Sequence, residues 1–515
     1  MTPTTRRTSG KGTRSRMVAV AGLLALVVPL SGCGTRMSEE KIAAADGSAI
    51  SSQGATGDAS AVGADPSVIA PTTTDPGATG AVGAVPGAPA TGVVPGAPAT
   101  GGAAATGTNA GGTKAGGAAA GATGGTAPAA AGGAAAACTQ VLAPVVIGQT
   151  SPSSGIIGAS TFNMRAGMAL WARAVNARGG VQCHPVQLYQ MDDAADPARV
   201  TSNLNEMVNN KKAIAIVGAG VPTTFAAAKR FAEQNKVPFV GGDLIEAPWY
   251  ASQYFFPQGG GPLAAYAGAT KEAALKANTK KVGLVYCVEA AICGTINENF
   301  EAMAKASGLE VVLRKVSSIT SPDYTAECQA LKAAGAEAVF VALEGSGDAR
   351  FARSCLSLGY APPSATSALS VSAEAALDPN FRKLGVYLGT GTAPYQANDT
   401  VGGKEFKAAY DRFAPGSSID QNTISQWASG RLFEKAIANV FEKARGGAIT
   451  RELLFEGLWM IKNEKLDGLA PSITFNKNAP PTQNDCYALL NLTTEGYTAP
   501  KGSRFECFKG LPKGF

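Results

Sequence analysis

From residue 1 to residue 161 the chain contains no phenylalanine, tyrosine or tryptophan. Residues 44–137 within that span are almost wholly Ala, Gly, Thr, Pro, Ser and Val, with VPGAPATG at Val85–Gly92 and again at Val94–Gly101. Side chains this small bury too little apolar area to offset a backbone entropy of about 1–2 kcal/mol per residue. Glycine does not recur at every third position, which excludes a collagen helix, and the scattered Gly and Pro undercut an Ala-rich α-helix. The stretch reads as a disordered tether of roughly 50–60 Å root-mean-square span. Any packed core must therefore come from residues 138–515.

Ahead of the tether, residues 1–16 hold Arg6, Arg7, Lys11, Arg14 and Arg16 and no acid, and the apolar run Met17–Leu30 follows. That run is short for a spanning helix and suits the apolar region of an export signal. Leu30-Ser31-Gly32-Cys33 comes next. Small residues before a cysteine at this place resemble the lipobox of bacterial lipoproteins. The resemblance implies that 1–32 is a lipoprotein signal peptide and that 33–137 is the lipidated N-terminus and linker. Cys33 would carry a thioether-linked diacylglycerol and hold the chain to the cell membrane on its extracytoplasmic side. Two or more acyl chains, at about 0.8 kcal/mol per buried methylene, anchor stably.

Charge and composition narrow the function. Lys plus Arg number 44 against 38 Asp plus Glu, a formal +6, and five of those charges fall in residues 1–16. A body near +1 offers no basic footprint for nucleic acid. His184 is the only histidine, so a multi-histidine metal site is excluded and a serine–histidine triad would rest on one residue. The GxxxxGK pattern of a phosphate loop is absent, and Ser153-Ser154-Gly155 lacks a nucleophile elbow. No cofactor is expected. Eight cysteines lie in the folded part, at Cys138, Cys183, Cys287, Cys293, Cys328, Cys355, Cys486 and Cys507. An even number in an exported chain predicts four disulfides, with neighbours in sequence pairing among the 105 possible arrangements.

The folded part alternates short apolar runs with segments of helical periodicity. Pro144–Thr150, Val186–Gln190, Ala213–Val217 and Val237–Val240 read as strands. Between them lie helices at Thr161–Ala177, stopped by Gly179-Gly180, at Asp196-Pro197 onward to about Asn210, and at Thr223–Gln234. A second series starts near Pro262, with strands at Lys281–Tyr286, Leu309–Val316 and Ala338–Leu343. Helices to Ala277 and at Thr295–Ser307, Tyr324–Ala334 and Asp348–Leu358 complete it. Such alternation implies α/β architecture with parallel sheets covered on both faces, and two series imply two doubly wound lobes. Residues 484–515, with Cys486 and Cys507, read as a hairpin-like tail closed by a disulfide.

Four stretches then carry a family resemblance: IGQTSPSSGIIGAS, VNARGGV, YQMDDAADPARV and AIAIVGAGVPTTFAAAKRFAEQNKVPFVGG. In this order they resemble the type I periplasmic binding proteins of the branched-chain amino acid and amide transport group. The resemblance is strongest over Val145–Gly242 and continues in register to about Trp459. It implies two lobes joined by a three-strand hinge, a solute trapped between them, and delivery by a monomer to the permease of an ABC importer. Residues 138–262 plus about 395–465 would form lobe 1, and about 263–394 plus about 466–515 lobe 2. A ligand-sensing receptor subunit on the same fold is the alternative, and an enzyme is not expected.

Ligands of open α/β sheets sit beyond the carboxyl ends of the strands, which selects the candidate residues. Ser153, Ser154 and Gly155 follow the first strand. Thr223 and Thr224 open a helix whose free N–H groups and hydroxyls suit a carboxylate. Relatives commonly offer Ser or Thr in the turn after the VP-strand, where this chain has Gly242 and Asp243. The acid that meets a ligand ammonium falls near Ser370, which cannot supply a counter-charge. Asp243, Glu289 and Glu344 are the candidate substitutes, and Tyr395 and Trp427 the candidate walls. Asp192-Asp193 read as loop and capping residues.

Overall fold

The computed structural model describes residue 138 and residues 140–513; the signal segment, Cys33 and the tether lie outside the described residues. The first sheet contains β1 (Val145–Ser151), β2 (Val186–Asp192), β3 (Ala215–Ala219), β4 (Phe239–Gly242) and β5 (Phe255–Phe256). Its order is β2-β1-β3-β4-β5, every pair parallel. The second sheet contains β6 (Lys281–Tyr286), β7 (Glu310–Val316), β8 (Ala338–Ala342), β9 (Ser364–Ser367), β10 (Val386–Thr390), β11 (Cys486–Thr493), β12 (Gly496–Thr498) and β13 (Glu506–Cys507). Its order is β7-β6-β8-β9-β10-β11-β12, with β13 on β11. It is parallel as far as β10; β11, β12 and β13 then pair antiparallel, because the tail returns along the sheet edge as a hairpin.

Local chemistry accounts for the elements. Six of the seven β1 residues are buried, as expected of a central strand covered on both faces. Asp196 accepts hydrogen bonds from the Ala198 and Arg199 N–H groups and Pro197 takes the first helical position, so Pro197–Asn205 starts where expected. Beyond it the chain widens into a π-turn, Glu206–Asn210. Each sheet has its own core. Helix Asn163–Ala177 and helix Gln421–Ala438 cover one face of the first sheet, where Trp171 meets Phe433 edge-on at 6.2 Å. Phe225, Phe239, Trp249 and Phe255 cover the other face. The second core gathers around Leu284, Phe300, Phe340 and Leu388. Segments 401–459, late in the sequence, return to the first lobe, and Leu466–Phe475 packs there too.

The chain crosses between the lobes three times, and the crossings touch through glycine. Gly260 N–H donates to the Gly391 carbonyl at 2.8 Å, and Gly261 N–H to the Asn484 carbonyl at 2.7 Å. A Cβ at Gly260 would overlap the carbonyl oxygen of Cys486, and one at Gly391 the carbonyl oxygen of Gly260. The disulfides Cys138–Cys183, Cys287–Cys293, Cys328–Cys355 and Cys486–Cys507 pair neighbours in sequence. Among the described residues no helix is long and apolar enough to cross a membrane.

Gly260→Ala is expected to destabilise the fold by about 2 kcal/mol or more, since backbone must move. Gly294→Ala, in helix Ala291–Ala306 with nothing within 4 Å of its Cβ position, is expected to stabilise by about 0.5–1 kcal/mol. Urea unfolding of both variants checks the pair.

Candidate ligand-binding cleft

The carboxyl ends of both sheets' strands face one cavity of about 90 Å³ at the seam between the lobes. By the space one water needs, that volume holds on the order of six non-hydrogen groups. Ile157, Ser160, Thr161, Pro222, Thr223 and Ile245 come from the first lobe. The second supplies Tyr266, Ile292, Ile296, Ile319, Phe340, Leu343 and Leu369, together with the Cys287–Cys293 disulfide. Five isoleucines are the commonest side chain, two aromatics join them, and no Lys, Arg or His lines the wall. Among the hydrogen bonds that join the lobes beside it are Ser160 Oγ to Glu344 Oε2 at 3.1 Å, Asn422 Nδ2 to the Leu369 carbonyl at 3.2 Å and Ile292 N–H to the Glu246 carboxylate at 3.2 Å.

Four of the residues selected from sequence meet at this cavity: Thr223, Glu289, Glu344 and Ser370. Helix Phe225–Asn235 begins with no side-chain cap, and the hydroxyl oxygens of Thr223 and Thr224 are buried without a partner. The capping role open to these threonines is thus unused, and Thr223, a wall residue, keeps a buried hydroxyl without a partner. Thr224 lies behind it, 3% exposed. Ser370 donates to the Ser367 carbonyl at 2.9 Å.

The two wall acids are already satisfied. Glu344 caps helix Gly345–Ser357 through the Ser346 and Gly347 N–H groups at 2.8 and 2.6 Å. Glu289 accepts from the Ser318 hydroxyl and from the Ile319 and Val288 N–H groups. Burial alone would raise its carboxyl, but these donors outweigh burial and hold it below the usual range.

The other selected residues lie elsewhere. Asp243 is fully buried and accepts from Val221 N–H at 2.6 Å, Ile245 N–H at 2.8 Å and Trp249 Nε1 at 3.3 Å. It ties the loop after β3 to the loop after β4. Gly242 leaves room for the Ala219 carbonyl and the Trp249 ring. Ser153 N–H and the Ser154 hydroxyl donate to Asp192 at 2.8 and 2.6 Å, and Gly155 turns beside Ala194 at φ +78°. Burial opposes ionisation of Asp192, yet these donors and Ala194 N–H bring it down to about 2. Tyr395 stacks edge-on against Tyr497 of the tail at 5.6 Å. Trp427 is a core residue, edge-on to Phe406 at 5.9 Å. His184 is spent as a pin, its ring nitrogens 2.6 and 2.7 Å from the Ala143 and Ala444 carbonyls. Among the described residues no His/Cys/Asp/Glu cluster suits a metal.

Comparison with known proteins agrees with this geometry. The periplasmic binding protein family model matches residues 144–493. The chain belongs to the periplasmic binding protein family. An amino acid binding protein of Pseudomonas aeruginosa is 35% identical over 80 residues, 16% of this chain and 21% of the relative. The chain thus matches about a fifth of that curated relative's length. A fatty acid ABC transporter substrate-binding protein from Thermomonospora curvata superposes with TM-score 0.59 at 19% identity, covering 72% of this chain and 93% of that one. A branched-chain amino acid transporter substrate binding protein from Streptococcus pneumoniae, in complex with isoleucine, gives 0.57 at 16%, covering 71% and 99%. A solute binding protein of an ABC transporter from R. palustris, in complex with benzoate, gives 0.55 at 15%, covering 71% and 98%. At these identities the structural likeness shows the fold of a periplasmic binding protein.

Sequence reading missed Ser160 and Asn422, which join the lobes, and Glu246, a 3%-exposed acid beside the cavity. Glu246 sits in LIEAPWY, and an acid inside so apolar a run is a burial signal. Burial pushes Asp193, Asp243 and Asp420 up to about 6 and Glu246 to about 8. Unfolded, these groups titrate near pH 4, so the folded state binds more protons between about pH 4 and 8. Their stabilisation is complete below pH 4 and lost as pH rises through 6 to 8. The thermal midpoint is accordingly expected to fall over that range, checked by calorimetric melting at half-unit pH steps.

Proposed function

We propose that this chain is a lipid-anchored, extracytoplasmic solute-binding protein that captures a small solute between its lobes and delivers it to the permease of an ABC importer. The observation that carries this reading is the apolar cavity at the strand ends of both sheets, with the lobes joined beside it by Ser160–Glu344 and Asn422–Leu369. A solute there touches both lobes at once, so binding and closure are one event. A ligand drives closure only by its preference for the closed form. The wall favours a compact solute with an apolar body, an amino acid, amide or related compound. A fatty acid, isoleucine and benzoate, the solutes named for three structural relatives, share that apolar character. Thr223 is the group we assign to an oxygen of the solute, since its hydroxyl is buried and unpartnered.

Thermal unfolding against amino acids, amides, polyamines, short-chain carboxylates and aromatic acids tests the reading. A solute at 100 times its Kd stabilises by about 2.7 kcal/mol and is expected to raise the midpoint by several degrees. Thr223→Val is expected to weaken that solute about tenfold. No shift with any member of the panel would sink the proposal. Anchoring is tested separately: Cys33→Ser is expected to move the chain from the membrane fraction to the soluble fraction.

A further inference from the structure

One of the four disulfides stands in the wall of the cleft. Cys287 and Cys293 both line the cavity and are 6% and 2% exposed, whereas the cysteines of the other three disulfides do not line it. Their bond closes the turn from β6 into helix Ala291–Ala306. Five of the seven residues from Cys287 to Cys293 line the cavity, namely Cys287, Glu289, Ala290, Ile292 and Cys293, and no other stretch of that length supplies as many. The same turn reaches across the seam, where Ile292 N–H donates to the Glu246 carboxylate at 3.2 Å.

The helix start has little else to fix it. Ala290 at the N-cap has no side-chain oxygen for the free N–H groups, and the first turn holds no acid. Helix Gly345–Ser357, which reaches the same wall, is by contrast capped by Glu344. Cys287 N–H is held by the Ala342 carbonyl at 3.1 Å, and Glu289 accepts from the Ser318 hydroxyl and Ile319 N–H, so the entry and middle of the turn are tied to the second lobe. The exit is tied to the entry by the covalent bond. Such a cross-link removes turn conformations that the reduced chain would sample. A wall free to sample them must be ordered when a solute binds, and that ordering lowers affinity.

We propose that the Cys287–Cys293 disulfide is a positioning element of the solute site and makes solute affinity depend on redox state. Oxidised, it presents the wall ready-made; reduced, it weakens binding. This deepens the solute-binding reading and rests on it. Reduction by a dithiol proceeds by thiolate attack on one sulfur, which leaves a mixed disulfide and expels the other cysteine as thiolate. The second thiol of the reductant then closes a cyclic disulfide and frees the first cysteine, so two electrons and two protons pass from the dithiol to the cysteines. The coupling is reciprocal. Whatever factor oxidation adds to solute affinity, bound solute adds to the resistance of the bond to reduction.

The test uses the full chain with isoleucine, propionamide, putrescine, hexanoate and benzoate, one probe from each class of solute named above. Titration calorimetry of Cys287→Ser/Cys293→Ser, well below its melt, is expected to show any probe that binds the unaltered chain weakened about tenfold or more. Cys138→Ser/Cys183→Ser, which removes a disulfide of the first lobe, is expected to stay within about twofold. A bond that only stabilised its lobe would lower the melting midpoint and leave the dissociation constant alone. The second readout needs no substitution: the chain is equilibrated with reduced and oxidised dithiothreitol, and its thiols are trapped by alkylation and located by peptide mass. A saturating probe is expected to lower the Cys287–Cys293 potential by about 30 mV for a tenfold coupling and to leave Cys138–Cys183 unmoved. A probe bound equally by the unaltered chain and the Cys287→Ser/Cys293→Ser variant overturns the inference and leaves the solute-binding reading standing. So does a bound probe that moves neither potential, or both alike. Failure of every probe to bind takes both readings down.

Discussion

Two lobes with separate cores can work as one device only if the chain passing between them holds its register, and here backbone contact does that. Gly260 and Gly261 reach the carbonyls of Gly391 and Asn484 directly, and a Cβ at Gly260 or Gly391 would overlap the backbone of the neighbouring crossing. Because the contacts are backbone to backbone, the register of the crossings is set by main-chain hydrogen bonds rather than by rotamers. The strand ends that wall the cavity inherit that register. The Cys486–Cys507 bond fixes the third crossing's continuation to the tail, so the spine is closed on the side where the chain would otherwise fray.

Much of this architecture was legible from local chemistry. Asp196-Pro197 and Gly179-Gly180 mark a helix start and a helix end because capping depends on adjacent residues only. The alternation up to Leu358 was legible for the same reason. The return of Gln421–Ala438 to the first lobe was not, since its face of Ile424, Ala428 and Phe433 does not say which core it joins. Packing against Trp171, with Gly430 making the space, settles that, and these residues are more than 250 positions apart.

The site divided along the same line. Thr223, Glu289, Glu344 and Ser370 were found because position after a strand end is a property of sequence order. Asp243 met the same criterion and proved to bind its own loops, because the donors that saturate it become visible only once Val221 and Trp249 are folded around it. Glu246, three residues on, escaped notice for the converse reason. What sets it apart is a shortage of partners, and a shortage can be counted only in three dimensions.

Two of the hydrogen bonds that join the lobes, Ser160 to Glu344 and Asn422 to Leu369, are made by protein groups alone. Whatever solute lies between the lobes, closure gains the same contribution from them. Such a contribution scales every dissociation constant by one common factor and cancels from any ratio of two. Affinity and selectivity are therefore written in different residues of this cleft. Drift at Ser160 or Asn422 could retune the protein to a scarcer or richer environment without changing what it recognises, while the isoleucine wall could change the choice of solute without loosening the clasp.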